Sequence, residues 1–444
     1  MKYMRTRLIL SIVTAMMCST SSAQLSRDII RKELKADVNR AAGTFYALPV
    51  TKQKDTPVPG NKKPFYVNHY ACPSGYYLPR QKDYEEPYAI FVCADSLGKL
   101  TKLGRDVKNL LDQLRKEARG RTEELTVKGA RQSRGIMYQL VERIPDAFVP
   151  EGYYTSHSVV HNHCILTMQE AMLELATMKR PLSLSIRSSH QEDRFMEPED
   201  KLLTDHRVDS LTLEYYERFS DYYTNDTRLM GSLFNDANYI ASHIDAEKLS
   251  LQLFKLAGNS QHTELTGKFR LFDIFTADEI YGHWRMQNAW NYINFGGYKL
   301  NGGTQPYLQR TTLRNMIHMG DSMMNRNSPL MHNRYTHESV ILALASLMEL
   351  DNCGVQTDNL DSLEALGWVD YRIAPLGGSI VMIHYRSEQG DPDVLVKVLH
   401  NGREARLPIA SDCAPYYHWQ DVKRYYLRKL YRYENKRFNE KVIW

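Results

Sequence analysis

Beyond residue 23 the chain has no apolar run approaching the ~20 residues that a membrane-spanning helix requires. Charge of one sign is also missing. The 57 basic and 52 acidic residues leave a net +5. Three of those charges, Lys2, Arg5 and Arg7, lie in an acid-free start, so the rest of the chain carries +2. A nucleic-acid binder needs clustered basic residues to neutralise phosphates, and the composition gives that class no support. Cysteine is scarce, six in 444 residues, with no CxxC pair of the structural-zinc kind. Apart from Cys18 there remain Cys72, Cys93, Cys164, Cys353 and Cys413. Five thiols form at most two disulfides, and at least one is left over. No internal repeat or low-complexity tract interrupts the chain.

What remains is a globular composition, 43% apolar and 25% charged, with enough length for a large core. At about 150 residues per domain the length gives roughly three units, or one α/β core enlarged by an insertion. Residues 1–23 follow a secretory pattern: a basic start, an apolar run from Leu8 to Met17, and small Ser21, Ser22 and Ala23 before Gln24. Cleavage after Ala23 exports a soluble protein to the periplasm or the exterior. A second reading lipidates Cys18, although Met16 and Met17 suit the small-residue lipidation pattern poorly. Both readings place the chain outside the cytoplasm.

Leu103, Val107, Leu110, Leu111 and Leu114 recur at helical spacing, predicting a helix over 101–119, and Ile136, Met137, Leu140 and Val141 predict another over 126–143. Phe65–Tyr70, Leu182–Ile186, Ile380–Tyr385 and Val394–Leu399 read as strands. Interleaved helices and strands at both ends favour an α/β core with helices on both sheet faces. Residues 190–330 differ, being rich in aromatics, Met and Asn. Tyr215, Tyr216, Phe219, Tyr222 and Tyr223 fall at helical spacing, and Thr276 with Glu279 forms a capping-box pattern. This stretch reads as a helical insertion whose aromatic stripe serves packing before any ligand.

Three segments carry a resemblance. The first runs Lys63-Pro-Phe-Tyr-Val-Asn-His69-Tyr-Ala-Cys72-Pro73-Ser-Gly-Tyr76-Tyr-Leu, continuing through Leu100–Gly104 and Leu125–Gly135. The second is Ser156-His157-Ser158-Val-Val-His-Asn-His163-Cys-Ile-Leu-Thr-Met168. The third passes from Phe275–Glu279 through Trp284, Asn288 and Tyr292 to Arg334-Tyr-Thr-His337-Glu338, then Ala410–Trp419. In this order and spacing the chain resembles the histidine acid phosphatases, specifically the multiple inositol polyphosphate phosphatase branch that acts on phytate. The resemblance implies a mixed sheet flanked by helices with an inserted helical cap. It also implies a strand leading into an Arg-His-Gly-x-Arg loop, whose histidine attacks phosphorus while arginines clamp the oxygens. Neutral imidazole suits the attack and guanidinium the clamp. A later histidine with an acid binds phosphate and protonates the leaving oxygen.

At its centre the pattern fails. Alignment on the flanks puts Cys72 at the first arginine, Pro73 at the nucleophile, Tyr76 at the second arginine and His163 at the third. Only His337 and Glu338 keep compatible residue types. Cys72 does not supply a cysteinyl-phosphate mechanism, because the arginine required six positions later is Leu78. Groups that act as a unit are lost together, so the expected drop in rate is many orders of magnitude.

The implied organisation is a leader at 1–23, a core from 24–190 and 331–444, and a cap from 191–330. The implied function is an exported pseudophosphatase whose cleft takes a phosphorylated small molecule. The alternatives are an active phosphatase using other residues, and a metal-binding or protein-interaction module. No cofactor is expected and no protein partner is identified. The one metal reading is zinc on Cys72, His163, His337 and Glu338, which the resemblance brings to one pocket. Three plainer readings accompany these. Thr336 is expected to cap a helix whose first turn holds Glu338, leaving an amino end that favours an anion. His157, His161 and His163 are not expected all to converge, and read as partly exposed or hydrogen-bonded histidines. Lys423–Arg437 reads as a helix packed on the core rather than on a membrane surface.

Overall fold

The computed structural model describes residues 25–178, 181–223, 225–265 and 269–442. The expected leader, with Cys18, lies outside them. One mixed sheet of eight strands organises the chain: β1 (Lys63–Ala71), β2 (Tyr153–Ser158), β3 (Ser183–Ser188), β4 (Leu330–Tyr335), β5 (Ser379–Arg386), β6 (Leu395–His400), β7 (Arg403–Glu404) and β8 (Tyr416–His418). Their order is β8-β6-β5-β1-β4-β2-β3, with β7 paired to β6. β1, β4, β2 and β3 run parallel, and β5 joins β1 antiparallel. β1 is buried from Pro64 to Ala71 and β5 along its whole length, as expected of central strands covered on both faces. The register aligns Ala71 with Tyr335 and Tyr335 with Ser158, so the carboxyl ends of three strands distant in sequence meet at one edge.

The two helices expected from periodicity form as α1 (Lys102–Ala118) and α2 (Val127–Arg143). Their first turns are closed by the side chains of Thr101 and Thr126, which accept the amides of Gly104 and Gly129. α3 (Asn162–Met178) follows β2, and α4 (Glu338–Met348) follows β4. The C-terminal helix α5 (Trp419–Val442) buries Val422, Tyr426 and Leu430 in the main core, in keeping with the packed reading.

The middle of the chain is helical, as its texture implied. Thr276 and Glu279 close a capping box at the start of Ala277–Phe295. The aromatic stripe divides: Tyr216 and Phe219 pack on the core, while Tyr222 stays exposed. A second hydrophobic core is not confined to 191–330. It joins Phe91, Val107, Leu111 and Leu114 to Leu253, Phe254, Trp284 and Val369. The helical half is thus assembled from both sides of the α/β sequence. No described helix is long and apolar enough to cross a membrane.

A buried ion pair ties this half together. Arg285 sets Nε 2.6 Å from Glu364 Oε1 and Nη2 3.2 Å from Oε2, with both side chains almost fully buried. Its Nη2 also donates to the carbonyl of Asp361 at 3.0 Å. Removing one member of such a pair strands a charge in low dielectric. Glu364→Ala is therefore expected to cost about 3–5 kcal/mol in chemical denaturation. A loss below about 1 kcal/mol, the scale of a solvated pair, would mean water reaches the guanidinium.

Candidate functional site

The aligned strand ends bring residues 72–77, 159–164 and 335–338 together at one edge of the sheet. The loop after β1 is tightly keyed to its surroundings. The amide of Cys72 donates to Gly378 O at 2.7 Å and that of Tyr77 to Glu124 O at 3.0 Å. The amides of Ser74 and Gly75 donate to Thr167 Oγ1 and Gln132 Oε1 at 3.0 and 3.1 Å. Pro73 has no N–H, and its carbonyl accepts Gly377 N at 2.7 Å, from a residue held at φ +80° where glycine is favoured. The start of α2 presses on the loop so closely that a Cβ at Gly129 would lie 1.9 Å from Gly75 O. Four loop amides are therefore spent on the protein itself. A phosphate cradle needs such donors free.

Three imidazoles occupy the pocket. His163, at the start of α3, stacks on Tyr76 with ring centroids 4.3 Å apart and planes 12° from parallel. Its Nε2 faces His337 Nδ1 across 3.5 Å, and His161 meets His337 edge-on at 4.6 Å. His337 Nε2 lies 3.6 Å from Glu197 Oε1. Burial, with the nearby His337 and His161, pushes the His163 pKa down to about 3, so it is neutral at pH 7. Its Nδ1 is buried without a hydrogen-bond partner, as is Glu338 Oε2.

Negative charge surrounds the loop. Burial raises Cys72, Tyr76 and Cys164 well above their usual pKa values, and Glu338 pushes each further; Glu123 acts on Tyr76, and Glu123 with Glu197 on Cys164. Arg334, on β4 itself, commits its guanidinium to Asn315 Oδ1 at 2.9 Å and to the Tyr70 ring. A site with an uncharged His163, protonated thiols and nearby carboxylates suits a cation better than a phosphate dianion.

The expected residues thus fall in one neighbourhood: Cys72, Pro73, Tyr76, His163, His337 and Glu338. Within it, the zinc quartet of Cys72, His163, His337 and Glu338 does not converge. Donor atoms come within 4.8 Å of one another in two other groups here, His163–Cys164–His337 and His161–Glu197–His337. The three histidines do not all converge, as expected: His161 and His163 approach with ring centroids 5.8 Å apart, while His157 lies on β2 between Arg334 and Arg187. One further expectation changes. Thr336 does not cap α4. His337 takes that position without a side-chain bond, and the Thr336 hydroxyl instead donates to Met196 O at 2.8 Å. Glu197 was not legible at all. No spacing links it to His337, and this Thr336–Met196 bond delivers it.

Solved structures of several phosphatases resemble this architecture. The multiple inositol polyphosphate phosphatase of Bifidobacterium longum, in complex with inositol hexasulfate, matches with a TM-score of 0.72 and 14% identity, over 86% of this chain and 97% of that one. The fold is that of the histidine acid phosphatases. The phytase from D. castellii matches this histidine acid phosphatase fold at TM-score 0.63 and 14% identity, over 88% and 85% of the two chains. The apo phytase of Hafnia alvei gives 0.50 and 10%, over 84% and 98%. No protein-family model and no curated protein matches the chain.

Two outcomes follow within this histidine acid phosphatase fold. All five described cysteines are free, with Cys93 exposed and Cys72, Cys164 and Cys353 buried. Iodoacetamide at neutral pH is expected to modify Cys93 and spare Cys72 until denaturant is added, read by peptide mass spectrometry; rapid Cys72 labelling would contradict its protonated, buried state. The second outcome concerns acid. Because His163 titrates near 3 when folded, below a free imidazole near 6.5, the unfolded chain takes the proton first. Its contribution is full above about pH 6.5 and falls by roughly 1.4 kcal/mol per pH unit toward the folded pKa. His163→Gln is expected to flatten the stability loss between pH 7 and pH 5 by one proton's slope, leaving the slopes of buried His69, His262, His283, His332 and His384.

Proposed function

We propose that the protein is an exported pseudophosphatase: a histidine-acid-phosphatase-like chain of the multiple inositol polyphosphate phosphatase type that does not hydrolyse phosphomonoesters and uses its cleft for binding. The observation that carries this reading is the loop after β1. By the family resemblance it should bear the nucleophile and two arginines. It bears Cys72, Pro73 and Tyr76, and its amides at 72, 74, 75 and 77 are already bonded within the protein. Proline cannot form a phosphoenzyme. With no guanidinium on the loop and four of its amides engaged, charge developing on the transferred phosphoryl group is poorly met.

Export rests on the leader pattern at 1–23. The core at 24–190 and 331–444 with a cap at 191–330 remains the proposed division. In the family-derived scheme His337 and Glu338 keep their places, as a phosphate-side imidazole and an acid, with nothing to protonate. The phosphate of a small ligand would meet Cys72, Pro73, Tyr76 and His163 in place of the family's clamp, and bind weakly.

The test is hydrolysis. The purified protein is expected to release no phosphate from phytate or an aryl phosphate above a His337→Ala control. Turnover well above that control would establish a working phosphatase with other residues. Restoration probes the same reading. Cys72→Arg, Pro73→His, Ser74→Gly, Tyr76→Arg and His163→Arg together are expected to recover measurable activity, while Pro73→His alone does little, since an unclamped phosphate is poorly aligned. A folded but inert five-fold variant would remove the support for Glu338 as the acid.

A further inference from the structure

We infer that the protein binds a divalent transition-metal ion, zinc by the chemistry of its donors, through His161, His337 Nε2 and Glu197, with His163 as the outer partner of His337. The inference goes beyond the loss of hydrolysis and does not depend on it, since metal uptake is read with no phosphate ester present.

The geometry is close to a coordination shell. The ligand atoms of His161, Glu197 and His337 all lie within 4.8 Å of one another, and His337 Nε2 is 3.6 Å from Glu197 Oε1. Zinc bound to nitrogen and oxygen at about 2.0–2.2 Å in a tetrahedron spaces its donors roughly 3.3 Å apart, so the observed separations need only small side-chain shifts. Two imidazoles and one carboxylate with a fourth direction free form a common open zinc set. That direction exists here: the Glu197 side chain is 44% exposed and that of His337 19%, which gives an ion a path in.

The surroundings fix the donors. Thr336 holds the Met196 carbonyl at 2.8 Å, which anchors Glu197 one residue beyond it against His337 one residue beyond Thr336. A ligating histidine characteristically donates its other N–H to a fixed partner, which sets its tautomer. His163 Nε2 supplies that partner 3.5 Å from His337 Nδ1. With His163 as that partner, His337 Nε2 is left facing Glu197 Oε1 at 3.6 Å, the two donors an ion would bridge. The other convergent group, His163–Cys164–His337, is less suited: His163 and Cys164 are both buried, which leaves an ion no open path to them.

Untagged protein is dialysed against zinc, then analysed by elemental analysis and by titration calorimetry with zinc chloride. About one equivalent is expected. His161→Ala and Glu197→Gln should each weaken binding by more than the roughly 10–100-fold that loss of an outer partner costs, and His163→Phe should fall within that range. Apo melting temperatures of the variants, compared with that of the parent, show that each is folded. Cobalt(II) in place of zinc is expected to give d–d bands without thiolate charge transfer. Four outcomes overturn the assignment: no uptake of zinc, binding that survives both His161→Ala and Glu197→Gln, a thiolate band that places Cys164 in the shell, or binding abolished instead by Asp412→Asn, which would move the ion to the separate Asp412–Cys413–His418 group.

Discussion

The parallel pairing of β1, β4 and β2 is the constraint on which the pocket depends. Residue 71, residue 158 and residue 335 are far apart along the chain, and the register alone sets their ends level. A one-residue slip of β4 against β1 would turn every side chain on that strand to the other face. The slip is opposed by burial on both sides: β4 offers Met331, Asn333, Arg334 and Tyr335 to a packed interior in alternation. His69 Nδ1 and Asn333 Oδ1, 3.0 Å apart across the β1–β4 pair, add a polar key to that register. The chemistry at the edge is thus a by-product of packing further down the strands.

On that frame the pocket combines features that belong together physically. A loop with four of its amides engaged can be buried at little cost in orphaned donors. Burial in turn keeps the thiols protonated and His163 uncharged, while Glu338, Glu123 and Glu197 set the sign of the local field. These carboxylates oppose the entry of an anion.

Much of this was legible in the sequence. Phe65–Tyr70, Ile380–Tyr385 and Val394–Leu399 are strands because branched and aromatic residues dominate them; the first two lie within β1 and β5, and the third overlaps β6 from Leu395 on. Thr101 and Thr126 announced two helix starts for the ordinary capping reason. The order of the three resembling segments brought Cys72, His163 and His337 to one edge. What could not be read was nonlocal or directional. Thr336 looks like a cap in sequence, yet its hydroxyl reaches a carbonyl 140 residues away. Phe91 and Leu111 carry the pattern of helices covering a sheet, and they pack with Leu253 and Trp284 because tertiary burial chooses among compatible faces. Glu197 belongs to no periodic segment, so only the folded chain gives it neighbours.

The Thr336–Met196 bond has one more consequence. It joins the sheet edge to the segment that opens the helical half. One bond across 140 residues of chain holds both backbones, so the place of Glu197 beside His337 is inherited from the sheet and is not left to a free loop.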